Sequence, residues 1–148
     1  MWEWLENTPV AIWVGESLWA YPFWLSLHAI GLAIVVGIFA MRDLRLVGLF
    51  QGLSPNAFLA LSRFAWTGFV VNAISGVFLF TSQASTFVHS TPFLLKIAFI
   101  AAGMVLAVVI QGRLRDGRTD GATMKTTALA SLAVWLGAII AGRLIAYL

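Results

Sequence analysis

Five side chains in this sequence carry chemistry that such an apolar chain would not hold idly: Glu16, His28, Asn72, Lys96 and Arg143. His28 stands in the stretch WLSLHAIGLAIV, residues 24–35, as one imidazole among apolar neighbours. An imidazole in that setting can ligate a metal, pass a proton or bond a neighbouring backbone. Asn72 can donate and accept at once, and Lys96 and Arg143 offer positive charge to an anion. Whether these groups do chemistry or only hold helices together depends on the elements that position them.

Composition narrows those elements. The chain has 148 residues, 61% hydrophobic and 10% charged. Soluble domains carry about 25% charged residues, so this chain must use lipid as part of its solvent. Its length suits a single domain spanning residues 1–148. A net charge of +3 does not make it a nucleic-acid binder, because its nine basic residues are scattered and form no basic face. With no cysteine there is no disulfide, thiolate metal site, iron–sulfur cluster or cysteine nucleophile. The opening MWEWLENTPV has glutamates where a signal peptide carries basic residues, and it reads as mature protein. No phosphate loop is present, since GLFQGLSPN lacks the lysine and the preceding strand. His28 and His89 lie too far apart in depth for a zinc site, and no Ser/His/carboxylate set shares one depth.

Four stretches, about 18–41, 57–81, 92–112 and 124–147, are long and apolar enough to cross a bilayer. Backbone groups in lipid need internal partners, so each is expected to be a helix. The predicted fold is an all-α integral membrane four-helix bundle with a short N-terminal interfacial helix. Ser54-Pro55, Thr91-Pro92 and Asp120 supply start signals for the later crossings, and Thr8-Pro9 starts the short helix. Trp2, Trp4, Trp13 and Trp19 suit a headgroup-level anchor, and Pro22 stands at the junction with the first crossing.

Arg42, Arg45 and Arg63 flank the first connection, and Arg113, Arg115, Arg118 and Lys125 flank the third. The middle connection, SQASTFVHS, is uncharged, and the N-terminal segment holds three glutamates. The positive-inside rule then places both basic connections in the cytoplasm of a bacterium, with a multi-pass chain in the inner membrane and both termini on the periplasmic side. The connection MRDLRLVGLFQGLSPN reads as an extension of the first helix onto the cytoplasmic surface with Gly48 and Gly52 as stops, a solvated rim in which Asp43 pairs with Arg42 or Arg45, or else a docking surface for a partner.

At about 1.5 Å per residue, His28 and Asn72 fall near mid-membrane, while Lys96 and Arg143 lie about a turn beneath the outer surface. Ionisable groups at such depth cost about 2.5–3.5 kcal/mol on insertion scales and usually face the bundle interior. Each has a plainer reading. Lys96 and Arg143 reach the interface by snorkelling, Glu16 and His89 are surface groups, and Asn72 or neutral His28 is interhelical glue. The helical stripes Trp24, His28, Gly31, Val35, then Gly68, Asn72, Gly76, and then Ser131, Trp135, Ala138, Gly142 suit close helix packing or the approach of a flat ligand.

The pieces ESLWAYPFWLSLHAIGLAIVVG, RDLRLVGL, FAWTGFVVNAISGVFLF, TPFLLKIAFIAA and SLAVWLGAIIAGRLIAY together resemble an uncharacterised bacterial family of four-helix integral membrane proteins. A more distant likeness rests on two features: the first-helix histidine and Phe93-x-x-Lys96 opening the third helix. Both are similar to features of the HemJ-type protoporphyrinogen oxidases and of copper-resistance protein D membrane domains. That likeness implies His28 as ligand of a b-type haem and Lys96 as its companion. The arginine-containing stretch that follows the first helix in HemJ-type proteins is replaced here by FAMRDLRLVGL, and no second helix-borne histidine is present.

Two functions follow as expectations. In the first, b-type haem is bound through His28 as the metal ligand, for electron transfer or redox chemistry. Trp24, Trp135 and nearby phenylalanines form the walls, Gly31 and Gly76 leave room, and Lys96 and Arg143 meet the propionates, with Asn72 alongside. In the second, the chain is a non-enzymatic accessory or structural subunit of a larger membrane complex, or a homo-oligomer. Its polar groups then form a Glu16–Arg143 or Glu16–Lys96 network. Proton or ion translocation through His28, Asn72 and Lys96 ranks behind both, because no mid-membrane carboxylate relays with them.

Overall fold

The computed structural model describes all of residues 1–148 and contains seven helices and no strand. Four are long and apolar enough to span a membrane: α3 (Ala20–Val47), α4 (Ala57–Thr81), α6 (Thr91–Arg115) and α7 (Ala122–Leu144). Three short ones, α1 (Glu3–Glu6), α2 (Pro9–Glu16) and α5 (Ala84–Val88), gather at the end of the bundle that carries both termini. Of the expected start signals only Thr8 caps its helix; α6 is capped by Ser90 and not by Thr91, and α4 and α7 begin after Asn56 and Gly121 with no side-chain cap from Ser54 or Asp120. The Thr8 hydroxyl accepts from the Ala11 amide at 3.2 Å, and the Ser90 hydroxyl accepts from that of Phe93 at 3.4 Å. Each cap satisfies an amide that the first helical turn leaves unpaired.

The first crossing runs further than its apolar stretch suggests. MRDLRLV continues α3 to Val47, where Gly48 adopts φ 122° and the Leu49 amide bonds back to Leu44 O at 3.0 Å. Arg42 and Asp43 therefore do not form a solvated rim. They are 3% and 0% exposed, and Arg42 Nε donates to Asp43 Oδ1 at 2.8 Å. The guanidinium also lies over the Phe39 ring at 4.7 Å. Once helix α3 carries these groups inside, mutual pairing is what makes two buried charges tolerable.

The helices form a row that curls round on itself. α3 lies along both α4 and α7, α6 lies along α7, and α4 and α6 barely meet. At the basic end that seam is tied by polar groups. Trp66 Nε1 donates to Gln111 Oε1 at 3.3 Å, and Gln111 Nε2 donates to the Ser62 hydroxyl at 3.0 Å. Mid-bundle, Val35, Phe39, Ala65, Ala107 and Trp135 close into a buried apolar cluster. Towards the termini the seam has no such tie and α4 and α6 stand apart.

The α3–α4 contact is the tightest in the molecule. A Cβ on Gly31 would lie 2.7 Å from Asn72 N and 2.8 Å from Gly68 O, both rigid backbone atoms. Gly31→Ala is expected to force the two helices apart and to cost about 1–3 kcal/mol of stability. Gly37→Ala, which meets nothing within 4 Å, serves as its control. Thermal unfolding in detergent checks this: equal midpoints for the two variants would contradict it.

Candidate functional site

The close approach at Gly31 brings His28 of α3 against Asn72 of α4, and the two residues bond reciprocally. His28 Nδ1 lies 2.9 Å from Asn72 O, and Asn72 Nδ2 donates to His28 O at 2.8 Å. A carbonyl oxygen only accepts, so Nδ1 carries the proton and Nε2 keeps its lone pair. The Ser75 hydroxyl lies 3.3 Å from Nδ1 and bonds to Val71 O at 2.6 Å. Asn72 is 6% exposed, so this pairing is well shielded. A Cβ at position 76 would lie 3.1 Å from His28 Cε1, which is why glycine there lets the ring stand upright.

Nε2 faces away from α4, into a cavity of about 880 Å³ between the separated halves of α4 and α6. That is towards the upper end of the roughly 300–1,000 Å³ typical of small-molecule sites. Lys96 of α6 reaches across to place Nζ 3.3 Å from Nε2, with its stem running past Gly142 of α7. Arg143 lines the same cavity; its guanidinium donates to the Tyr147 hydroxyl at 2.7 Å and lies over that ring at 5.1 Å. No aspartate or glutamate lines the cavity. The one ion pair in the chain, Arg42–Asp43, is at the opposite end. Two cations thus border an apolar chamber without a carboxylate of the protein to compensate them.

Four of the eight expected site residues come together here: His28, Asn72, Lys96 and Arg143, with Gly76 making a fifth at the wall. The other three lie elsewhere. Trp24 stacks flat on Phe78, with ring centroids 4.0 Å apart, and does not line the cavity. Trp135 is 2% exposed in the mid-bundle cluster, packed on Gly103 and Phe39, so it lies beneath the chamber rather than beside a ligand. Gly31 is consumed by the α3–α4 contact. Glu16 makes no ion pair, so the Glu16–Arg143 and Glu16–Lys96 networks are not formed. His89 is exposed and outside the chamber.

The walls come instead from Tyr21, Phe69 and three phenylalanines in mutual contact, Phe80, Phe87 and Phe93. Phe93 lies 5.6 Å from Phe80 and 5.2 Å from Phe87, centroid to centroid. The sequence signal was the phenylalanine density around the uncharged connection, which reads equally well as an interfacial belt. No group of three or more His, Cys, Asp or Glu side chains gathers anywhere. A metal at His28 would have one protein ligand of these types, as the iron of a macrocycle can.

Four apolar spans around a polar, partly sheltered chamber define a multi-pass membrane protein with a candidate ligand site in one half of its bundle. Residues 1–148 match the model of a family of unknown function, DUF6644, and the chain belongs to that family. No curated protein and no solved structure is detectably similar to it.

The geometry fixes the imidazole tautomer through a backbone carbonyl and not through Lys96. Nitrogen-15 NMR of labelled histidine is therefore expected to show His28 protonated at Nδ1 and not at Nε2, in the native chain and in Lys96→Met alike. A change of tautomer in Lys96→Met would show that the carbonyl does not set it.

Proposed function

We propose that the protein binds b-type haem in the chamber between α4 and α6, with His28 Nε2 as the iron ligand, and that it serves redox chemistry in the bacterial inner membrane. The observation that carries this reading is the His28 ring itself. Its Nδ1–H is held by a backbone carbonyl, and its lone pair faces a cavity bordered by cations alone. Metal-ligating histidines are commonly oriented by such a bond from the other ring nitrogen, which fixes the tautomer and raises ligand basicity.

The surrounding residues fit the group. A haem is a flat apolar body with two carboxylates. Phe69, Phe80, Phe87 and Phe93 offer the apolar walls, and Lys96 and Arg143 offer charge-assisted bonds to carboxylates. Gly76 keeps the wall beside the imidazole low. The likeness of His28 and Phe93-x-x-Lys96 to HemJ-type and copper-resistance protein D features supports the same choice. When bound, haem supplies one-electron chemistry at a potential tuned by its axial ligand and by burial. The chain's own part is to hold the imidazole neutral and upright, to turn the Lys96 ammonium from Nε2 to a carboxylate, and to keep bulk water out. The mid-bundle cluster beneath the chamber separates it from the basic end. That favours a one-sided site over a path for ions. By the distribution of arginines the chamber faces the periplasmic half of the bilayer.

The test is a visible spectrum of the protein purified in mild detergent, oxidised and dithionite-reduced. A Soret band absent from His28→Ala is expected. Arg143→Ala is expected to retain less haem with all four helices still inserted. A colourless protein that co-purifies stoichiometrically with another membrane protein would overturn the haem reading and favour the accessory subunit.

A further inference from the structure

We propose that α5 is a lid over the chamber and that Glu6 is the latch that holds it down. α5 is a five-residue helix in the connection between α4 and α6, the two helices whose separation opens the cavity. Phe87 of α5 and Gln83 just before it both line the chamber, so the segment forms part of its wall at the termini end.

A helix this short has no stability of its own. Its N-cap, Gln83, makes no side-chain capping bond. The missing cap arrives from 79 residues away. Glu6 Oε1 accepts from the Ser85 amide at 2.8 Å and from the Ser85 hydroxyl at 2.7 Å. These two bonds pull the Glu6 carboxyl below its ordinary pKa, so it is ionised at neutral pH, the form that accepts most strongly. Glu6 makes no ion pair, either with the Met1 amino group at the start of the segment or with any side chain. α5 has no charged residue, α1 adds only Glu3 and α2 only Glu16, and His89 follows α5 without an ion pair. Trp2, at the start of the same strap, packs edge-on against Phe80 at 6.0 Å, which extends the hold to the aromatic wall.

α5 is thus fastened to α1 by one carboxylate oxygen that accepts two bonds, and to the chamber by stacked rings. Of the wall residues outside the spanning helices, Ile145 and Ala146 continue directly from α7. Letting go of Glu6 frees the others, the wall element that lies between α4 and α6. That gives a ligand as large as the chamber a way in and out without parting α3 from α4.

The chain has no cysteine, so Ile100→Cys, one turn below Lys96 on the chamber wall, gives a unique thiol. Its labelling by a membrane-impermeant methanethiosulfonate is measured in vesicles, alone and combined with Glu6→Ala or Glu6→Gln, alongside deuterium exchange. Glu6→Ala is expected to speed labelling severalfold and to raise exchange in residues 84–88 while residues 57–81 stay protected. Glu6→Gln, which keeps a neutral acceptor, is expected to fall between. Faster exchange in 84–88 with unchanged labelling would show that α5 is not a lid. No change in either would show that Glu6 is not its latch. Exchange rising through α4 as well would make Glu6 a general brace and overturn the proposal. The probe is the thiol reagent alone, so the result stands whether or not the chamber holds haem.

Discussion

The site depends on one reciprocal bond between two helices. His28 gives its Nδ1 proton to the backbone of Asn72, and Asn72 returns a side-chain proton to the backbone of His28. In hydrocarbon such groups have no water to turn to, so the pair both joins α3 to α4 and fixes the ring. It exists only because Gly31 and Gly68 let the backbones approach to a distance that one added methyl would forbid. Everything functional about His28 follows from that contact: its tautomer, its orientation, and the direction in which its lone pair points.

The second constraint is electrostatic. Lys96 and Arg143 border a chamber with no carboxylate, while the one buried ion pair is placed at the other end of the bundle. The two ends thus treat buried charge differently. Arg42 is paired with its sequence neighbour Asp43 through Oδ1, stacked over Phe39 and covered. Lys96 is held only by an imidazole and Arg143 only by a tyrosine. The first arrangement pairs opposite charges within the chain. The second suits an anion with an apolar body, as the proposed haem would be.

Much of this was legible in the sequence, and what was not has definite causes. The second crossing is legible to its ends at 57–81 from its apolar length and the uncharged connection that follows, while the expected cap at Ser54 is not formed and α4 begins after Asn56. The apolar stretch of the first ends near residue 41, and the helical extension with Gly48 as a stop is what α3 shows, to Val47; what the sequence conceals is that the extension is buried at Arg42 and Asp43. Hydropathy treats Arg42 and Asp43 as water-seeking and cannot see that adjacent opposite charges go in together. His28, Asn72, Lys96 and Arg143 were found because polar groups are conspicuous against an apolar chain. Trp24 and Trp135 were assigned to the wall by type and stripe alone. Helical spacing shows which residues share a face, but not which neighbour that face meets; Trp135 meets Gly103. The Glu6–Ser85 tie is hidden because it joins segments 79 residues apart, and the phenylalanine wall shows in the sequence only as a density of rings around one connection, which reads equally well as an interfacial belt. Neither has a periodic signal.

The most direct test of the central claim is pulsed electron–nuclear hyperfine spectroscopy of the ferric protein, isolated from its membrane after growth with nitrogen-15 histidine. The account predicts coupling to one histidine ring, lost in His28→Gly and regained when imidazole is added. A protein that leaves the membrane without iron, or iron whose histidine coupling survives in His28→Gly, would contradict it.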